Sequence, residues 1–334
     1  MKSTSLLLAL TTVSTLAQGP LLPPAAPAPS MKTLAQIEAR TPIPASSAVP
    51  IAGPHFTITQ PGSYYLTGNV QVASGNGILI GSSNVTLDLN GFALISTTVI
   101  PAGGTAILIG AAVCNVQIKN GSITGGALRT AGSPVTYAQV GWFRGVDSST
   151  STSSGFQLNH LTVERCKSDG INLTASATLD HITANGNGGY GISANYGSVT
   201  HSTASACGSA GIFGNFASVS NSTASNNGNF GIYVPAGSVS HCTAANNGTV
   251  GILATHGSVN NSTATSNGSD GIHASGGSVS NCRATANSNT GILVGLGVAA
   301  HCVASANDSS GGVIDKQIDV SIGGQRVACV PASE

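Results

Sequence analysis

Residues 231–250 read GIYVPAGSVSHCTAANNGTV, and residues 251–270 read GILATHGSVNNSTATSNGSD. The two segments align without a gap, and the pattern extends on both sides. Gly-Ile begins at Gly191, Gly211, Gly231, Gly251, Gly271 and Gly291, a spacing of 20 residues (211 − 191). Seven positions after the first five of these glycines stands Ser-Val, at Ser198, Ser218, Ser238, Ser258 and Ser278. Ten positions after each glycine stands His or Asn: His201, Asn221, His241, Asn261, Asn281 and His301. Sixteen positions after it stands Asn, at Asn227, Asn247, Asn267, Asn287 and Asn307, with Cys207 as the exception. Self-similarity at a fixed short period marks a solenoid.

A unit of this length is too short for a helical hairpin, and its Gly, Ser, Thr and Asn content opposes helix. The unit reads as short β-branched pieces punctuated by Gly and Asn. Ile192 and Ala194 share a parity and are expected to face inward on one strand, with Val199 inward on the next. Ser202 and Ala204 have the opposite parity to Val199, so a bend falls near Thr200-His201. Asn and His are among the non-glycine residues that tolerate positive φ, which suits that column. A second bend is expected at the later Asn column.

Three strands per turn with bends at fixed offsets describe a single-stranded, right-handed parallel β-helix, an all-β fold whose turns lie ~4.8 Å apart. Like residues then stack, and Asn amides can bond along the stack. The even turns 170–313 form a rod, and the six steps from Gly191 to Gly311 make it ~29 Å long. The repeats resemble the right-handed parallel β-helix repeat family, whose fold is that of pectate lyases. Upstream, Gln60–Asn69, Ile78–Ile80 and Asn84–Phe92 are similar to secreted bacterial members of that family without an assigned activity.

Charged residues make up 7% of the 334-residue chain and the net charge is zero, against ~25% charged in ordinary domains. Such a surface offers no basic stripe for nucleic acid. Residues 1–17 read as a secretion signal: Lys2, the apolar run Leu6–Leu10, then Thr15-Leu16-Ala17 as a small-x-small site. The apolar run is too short to span a membrane, and no Cys follows it to carry a lipid. A secreted protein, extracellular or periplasmic and monomeric, is expected.

Residues 18–30 form a Pro/Ala-rich linker. Residues 31–76 are assigned as an N-terminal cap, built from a helix over Met31–Arg40 and a strand pair at Phe56–Ile58 and Tyr64–Leu66. Residues 77–169 are irregular turns with a long loop at 124–155, and residues 314–334 are a C-terminal cap. Of the seven cysteines, Cys242, Cys282 and Cys302 share the inward small-residue column with Ser202, Ser222 and Ser262. Cys282 and Cys302 lie on adjacent turns, within possible disulfide reach. Cys207, at a bend, is expected to be exposed. No cysteine pair has zinc-ligand spacing, and no metal centre is assigned.

Two groups of residues are candidates for function. Arg129, Tyr137, Trp142 and Arg144 lie in the 124–155 loop; exposed there, they would stack on sugar rings and pair with uronate carboxylates. Arg165, Lys167, Asp169 and His181 are the candidate catalytic residues, with Glu164, Asp180 and His201 nearby. His181 or Lys167 would serve as base, with Arg165 neutralising the substrate carboxylate. The resemblance implies that hydrolases of this fold need two or three neighbouring aspartates, and lyases a Ca²⁺ site plus a basic residue. Asp169 and Asp270 share an offset but lie five turns apart, ~24 Å, too far to cooperate. No cofactor is expected unless the protein is a lyase, which would require Ca²⁺. A carbohydrate-interacting scaffold that binds polysaccharide is therefore the leading function, and a lyase or epimerase-like enzyme acting on acidic polysaccharide the alternative. A third possibility, a structural, adhesive or ice-binding surface, rests on the outward Thr183, Thr203, Thr223, Thr243 and Thr263.

Overall fold

The left-handed corner drawn from parity is present on every repeat. His181, His201, Asn221, His241, Asn261, Asn281 and His301 all have φ between 46° and 54°. A single αL residue turns the chain sharply and reverses which parity faces inward. Val199 and Ser202 therefore both point inside, with relative exposures of 0% and 1%.

The computed structural model describes residues 39–46, 51–97, 103–127, 140–148, 154–307, 317–320 and 324–329, and the backbone of 129–130, 136–137 and 330–331. From Arg40 onward these belong to one unit. The helix assigned to Met31–Arg40, the secretion signal and the linker lie outside the described residues. No described residue is helical.

A twelve-stranded sheet runs from Phe56–Ile58 to Ile318–Val320, and a 23-stranded sheet carries the other two strands of each turn. Every pairing within these two sheets is parallel. Ile192 pairs with Ile212, Val199 with Val219 and Thr203 with Thr223, each shifted by one period. Like side chains therefore lie over like. The Ile, Val and Ala columns are buried from Ile192, Val199 and Ala204 to Ile292, Val279 and Ala304. Outside them, Thr183, Thr203, Thr223, Thr243 and Thr263 stand in register. The array ends at Arg283 and Val303.

Two polar ladders tie the rungs together from inside. Ser202 Oγ accepts from Ile182 N (3.1 Å) and donates to Thr200 O (2.7 Å). Cys242, Cys282 and Cys302 occupy the same site, each thiol donating to the carbonyl two residues earlier (3.1–3.2 Å). The second ladder is the Asn column. It does not form the bend, which lies one residue earlier at Ala206, Asn226, Asn246, Ser266, Ala286 and Ala306. That bend turns the next side chain inward. Asn247 Nδ2 donates to Asn267 Oδ1 (3.0 Å) and Ala224 O (3.2 Å), while its Oδ1 accepts from the backbone and side chain of Asn227. Gln317 Oε1 receives the last amide, Asn307 Nδ2, at 2.7 Å. For the same reason Cys207 is buried, at 1% exposure, and not on the surface as expected.

The N-terminal strands pair differently from expectation. Phe56–Ile58 and Tyr64–Leu66 do not pair with each other. Phe56–Ile58 pairs with Ile78–Ile80, and Gly62–Leu66 pairs with Thr41–Ile43 and Val85–Asp88, all parallel. They are early turns of the solenoid. At the other end Ile318–Val320, Gln325–Val327 and Val330–Pro331 pair with Ile292–Val294, Val298–Ala300 and Val303–Ala304 as one more turn. The 124–155 loop is shorter than expected, because Arg144–Ser148 is a strand of the twelve-stranded sheet.

All seven thiols are free, and Cys166, Cys207, Cys242, Cys282 and Cys302 are buried. Burial pushes the Cys166 thiol far above its ordinary value and lifts Cys207 and Cys242 to about 11. Proximity of the two thiols on adjacent rungs pushes Cys282 up and draws Cys302 below its ordinary value. Cys302 is nevertheless 0% exposed, and the thiolate must be reached to react. Titration with an aromatic disulfide should therefore modify only the partly exposed Cys114 and Cys329 in native protein, and all seven in denaturant. Rapid labelling of more than these two in native protein would contradict the buried columns.

Candidate functional site

The outer face of the twelve-stranded sheet carries two neighbouring columns of side chains. Strand register places Asp147, Asn172, Ser193, Phe213 and Tyr233 in one of them. Two residues before each strand's inward Ile or Val lie Arg144, Asp169, Tyr190, Ala210 and Phe230. The face is therefore ionic at one end and aromatic at the other, over about 19 Å for four steps of ~4.8 Å.

At the ionic end, Arg144 Nε contacts Asp169 Oδ2 (3.1 Å) and its Nη1 contacts Asp147 Oδ2 (3.3 Å). Asn172 Nδ2 donates to Asp147 Oδ1 (2.8 Å), and Tyr190 N donates to Asp169 Oδ1 (2.9 Å). Asp270 accepts from Thr290 N (3.1 Å) in the same way, so an Asp at this offset braces the backbone of the next rung. Phe143, 37% exposed, has the Arg144 guanidinium 5.1 Å and the Lys167 ammonium 5.4 Å from its ring centre. Lys167 has no ion-pair partner among the described residues.

At the aromatic end Tyr190 stacks on Phe213 (5.0 Å between ring centres), which lies 5.4 Å from Tyr233, itself 5.0 Å from Phe230. Beside them, at the bend after each strand, Tyr196 and Phe216 stack at 5.4 Å and are 58% exposed each. Six of the chain's 14 aromatic residues (6 Tyr, 7 Phe, 1 Trp) thus sit on three consecutive rungs. Aromatic rings normally bury their area; a run of partly buried rings flanked by two exposed ones is a surface suited to a ligand with apolar faces.

Several candidates from the sequence fall elsewhere. Trp142 is not a stacking platform: it is 0% exposed and its Nε1 donates to Gly75 O (3.0 Å). Its ring fills the interior over an early turn, where the flanking small residues leave room. Arg144 is committed to two carboxylates, so it holds the ionic end together and is not a free cation for ligand. Arg129 and Tyr137 are backbone partners in a two-stranded antiparallel pair, whose side chains lie outside the described residues. The proposed catalytic constellation divides into three. Arg165 pairs with Glu164 at 3.3 Å, Lys167 and Asp169 lie at the ionic end, and His181 sits at a corner of the larger sheet beside Asp180 and His201. No hydrogen bond or ion pair joins these groups among the described residues. The aromatic run was missed because each member is isolated in sequence. Aligning outward positions across repeats exposes it: Phe213 and Tyr233 are one period apart, as are Tyr196 and Phe216, and Tyr190 and Phe230 are two apart.

Residues 144–279 match the family described as a right handed beta helix region. The fold is that of the right-handed parallel β-helix proteins. Other solved β-helices agree. A double mutant of the periplasmic alginate epimerase AlgG superposes with a TM-score of 0.57 at 12% identity, over 82% of this chain and 76% of that one. The A-module of the Azotobacter vinelandii mannuronan C-5 epimerase AlgE6 gives 0.57 at 17% identity, over 82% of this chain and 91% of that one. The Dettilon tailspike protein gives 0.54 at 12% identity, over 86% of this chain and 61% of that one. No curated protein matches the chain significantly in sequence. Among the described residues no helix is long and apolar enough to cross a membrane.

Proposed function

We propose that this β-helix is an exported polysaccharide-binding scaffold whose ligand lies along the outer face of the twelve-stranded sheet. The observation that carries this reading is the partly buried aromatic run from Tyr190 to Tyr233, flanked by the exposed Tyr196 and Phe216 and continuous with the Phe143–Lys167 end of the same face. Sugar rings present apolar C–H faces to aromatic rings, and repeating stacked platforms suit a repeating ligand. Lys167 can pair with a uronate carboxylate, which favours an acidic glycan. The epimerase neighbours, named for alginate and mannuronan, support a ligand of that class. The apolar run Leu6–Leu10 followed by Thr15-Leu16-Ala17 supports export.

Gel electrophoresis in the presence of polyuronate and, separately, of a neutral glucan tests this. The protein should be retarded by polyuronate. The double variant Phe213→Ala/Tyr233→Ala should lose at least about tenfold in affinity, roughly 1.4 kcal/mol, while keeping its circular-dichroism spectrum. No retardation by any glycan, or a double variant that binds like the parent, would rule out this face. A lyase or epimerase-like activity is the second reading, favoured by Lys167 and Asp169 on the same face. It requires an unsaturated, ultraviolet-absorbing product or proton exchange at the uronate C5, and loss of either on Lys167→Ala.

A further inference from the structure

The His/Asn corner column changes character at one place. His160, His181 and His201 follow one another, and their rings stack at 4.7 and 5.1 Å. Beyond them no two histidines are adjacent in the column, with His241 and His301 set among Asn221, Asn261 and Asn281. Those asparagines hold the same left-handed corner, with φ of 48–53°, so the bend does not require imidazole. The preceding column holds Asn159, Thr200, Ser220, Ser240, Asn260 and Ser280, but at one rung an acid, Asp180.

Asp180 Oδ2 lies 2.8 Å from His181 Nδ1, and its Oδ1 lies 2.9 Å from His201 Nδ1. One ligand atom from each of the three residues falls within 4.8 Å of the others. Thr200 Oγ1 also donates to Asp180 Oδ1 (2.7 Å) and helps to fix the carboxylate. The imidazoles are about half exposed (51% and 52%).

We infer that Asp180, His181 and His201 form a binding site for a divalent transition-metal ion. Two imidazoles and a carboxylate suit Zn²⁺, Ni²⁺ or Cu²⁺. Metal–ligand bonds of ~2.0–2.2 Å put ligand atoms roughly 3.3–3.6 Å apart in a tetrahedron, so the 2.8 and 2.9 Å contacts need to open by roughly half an ångström. Three protein ligands at a solvent-facing corner leave the fourth position to water or an external ligand. The site lies on the larger sheet, distinct from the aromatic face, and does not depend on that face binding glycan.

The test is calorimetric titration of the full, metal-stripped chain with Zn²⁺, repeated with Co²⁺ to read its visible d–d bands. One equivalent should bind, with Co²⁺ bands typical of mixed nitrogen and oxygen ligation. His181→Asn, His201→Asn and Asp180→Asn should each weaken binding by about tenfold or more. The two His→Asn changes place at the corner the residue that Asn221 already supplies there, so unaltered melting temperatures without metal will show that the fold is kept. His241→Asn, remote from the acid, should bind as the parent does. Failure to bind stoichiometrically, or an equal loss in His241→Asn, would overturn the assignment.

Discussion

Asn247→Leu should lower the stability of the regular turns by about 3 kcal/mol or more, and should do so without altering the exposed surface. Asn247 is 2% exposed. Its Nδ2 donates to Ala224 O on the rung before and to Asn267 Oδ1 on the rung after, and its Oδ1 accepts from the backbone and side-chain N–H of Asn227. Leucine keeps the branched outline but is larger, and it leaves these groups facing hydrocarbon. Each buried polar group stranded in this way costs roughly 1–3 kcal/mol, and partial re-pairing along the column returns some of it. Equilibrium urea unfolding should show the midpoint move down, with an intermediate if the rungs on either side separate. Asn247→Cys should be milder, since Cys207 occupies this column and still lets its own N–H donate to Asn227 Oδ1 at 3.0 Å. An Asn247→Leu variant as stable as the parent would mean that the ladder contributes nothing net.

Gly277→Ala should be comparably severe, although it adds one methyl group. A Cβ at this glycine would sit on the carbonyl oxygen of Gly257, one rung below. The obstacle is backbone, which cannot swing aside as a side chain can. The rungs must separate locally, breaking ladder hydrogen bonds. Overpacking in a close-packed interior costs about 1–3 kcal/mol even where side chains can yield, so several kcal/mol is expected here. By contrast Gly186→Ala meets no atom within 4 Å, though its φ of 63° adds backbone strain, so its loss should be about 1 kcal/mol. Thermal melts of the two variants, compared side by side, check the ordering.

The fold was legible because a solenoid writes its structure into the period. Ile192, Val199 and Ala204 could be assigned inward from parity alone, and the αL corner followed from the switch between Val199 and Ser202. The Asn column was misplaced by one residue. Asparagine signals both bends and internal ladders, and only the backbone shows that Ala206, Asn226 and their equivalents make the turn. The ends were read as caps because their side chains lack the period, yet hydrogen-bonded strands need only compatible backbone. The site was less legible. Trp142 drew attention as the single tryptophan, but rarity says nothing of direction, and its indole turned inward to Gly75. Tyr190, Phe213, Phe230 and Tyr233 carried the more informative signal, which appears only after the repeats are superposed. Asp180, His181 and His201 are legible as neighbours on successive turns, but a column that exchanges His for Asn reads as structural, and only the run of adjacent histidines beside a single acid sets this place apart.

The near-identity of the rungs from Gly211 to Asn307 has a bearing on how this protein can change length. Because each rung offers its neighbours the same Ile, Val, Ala and Asn contacts, a whole unit can be excised or duplicated and the cut surfaces will still match. A gene encoding such a chain can lengthen or shorten its product in whole modules by unequal recombination, without designing a new interface. The same sameness makes slippage by one module during folding inexpensive, and the less regular turns upstream of Gly170 are what pin the alignment.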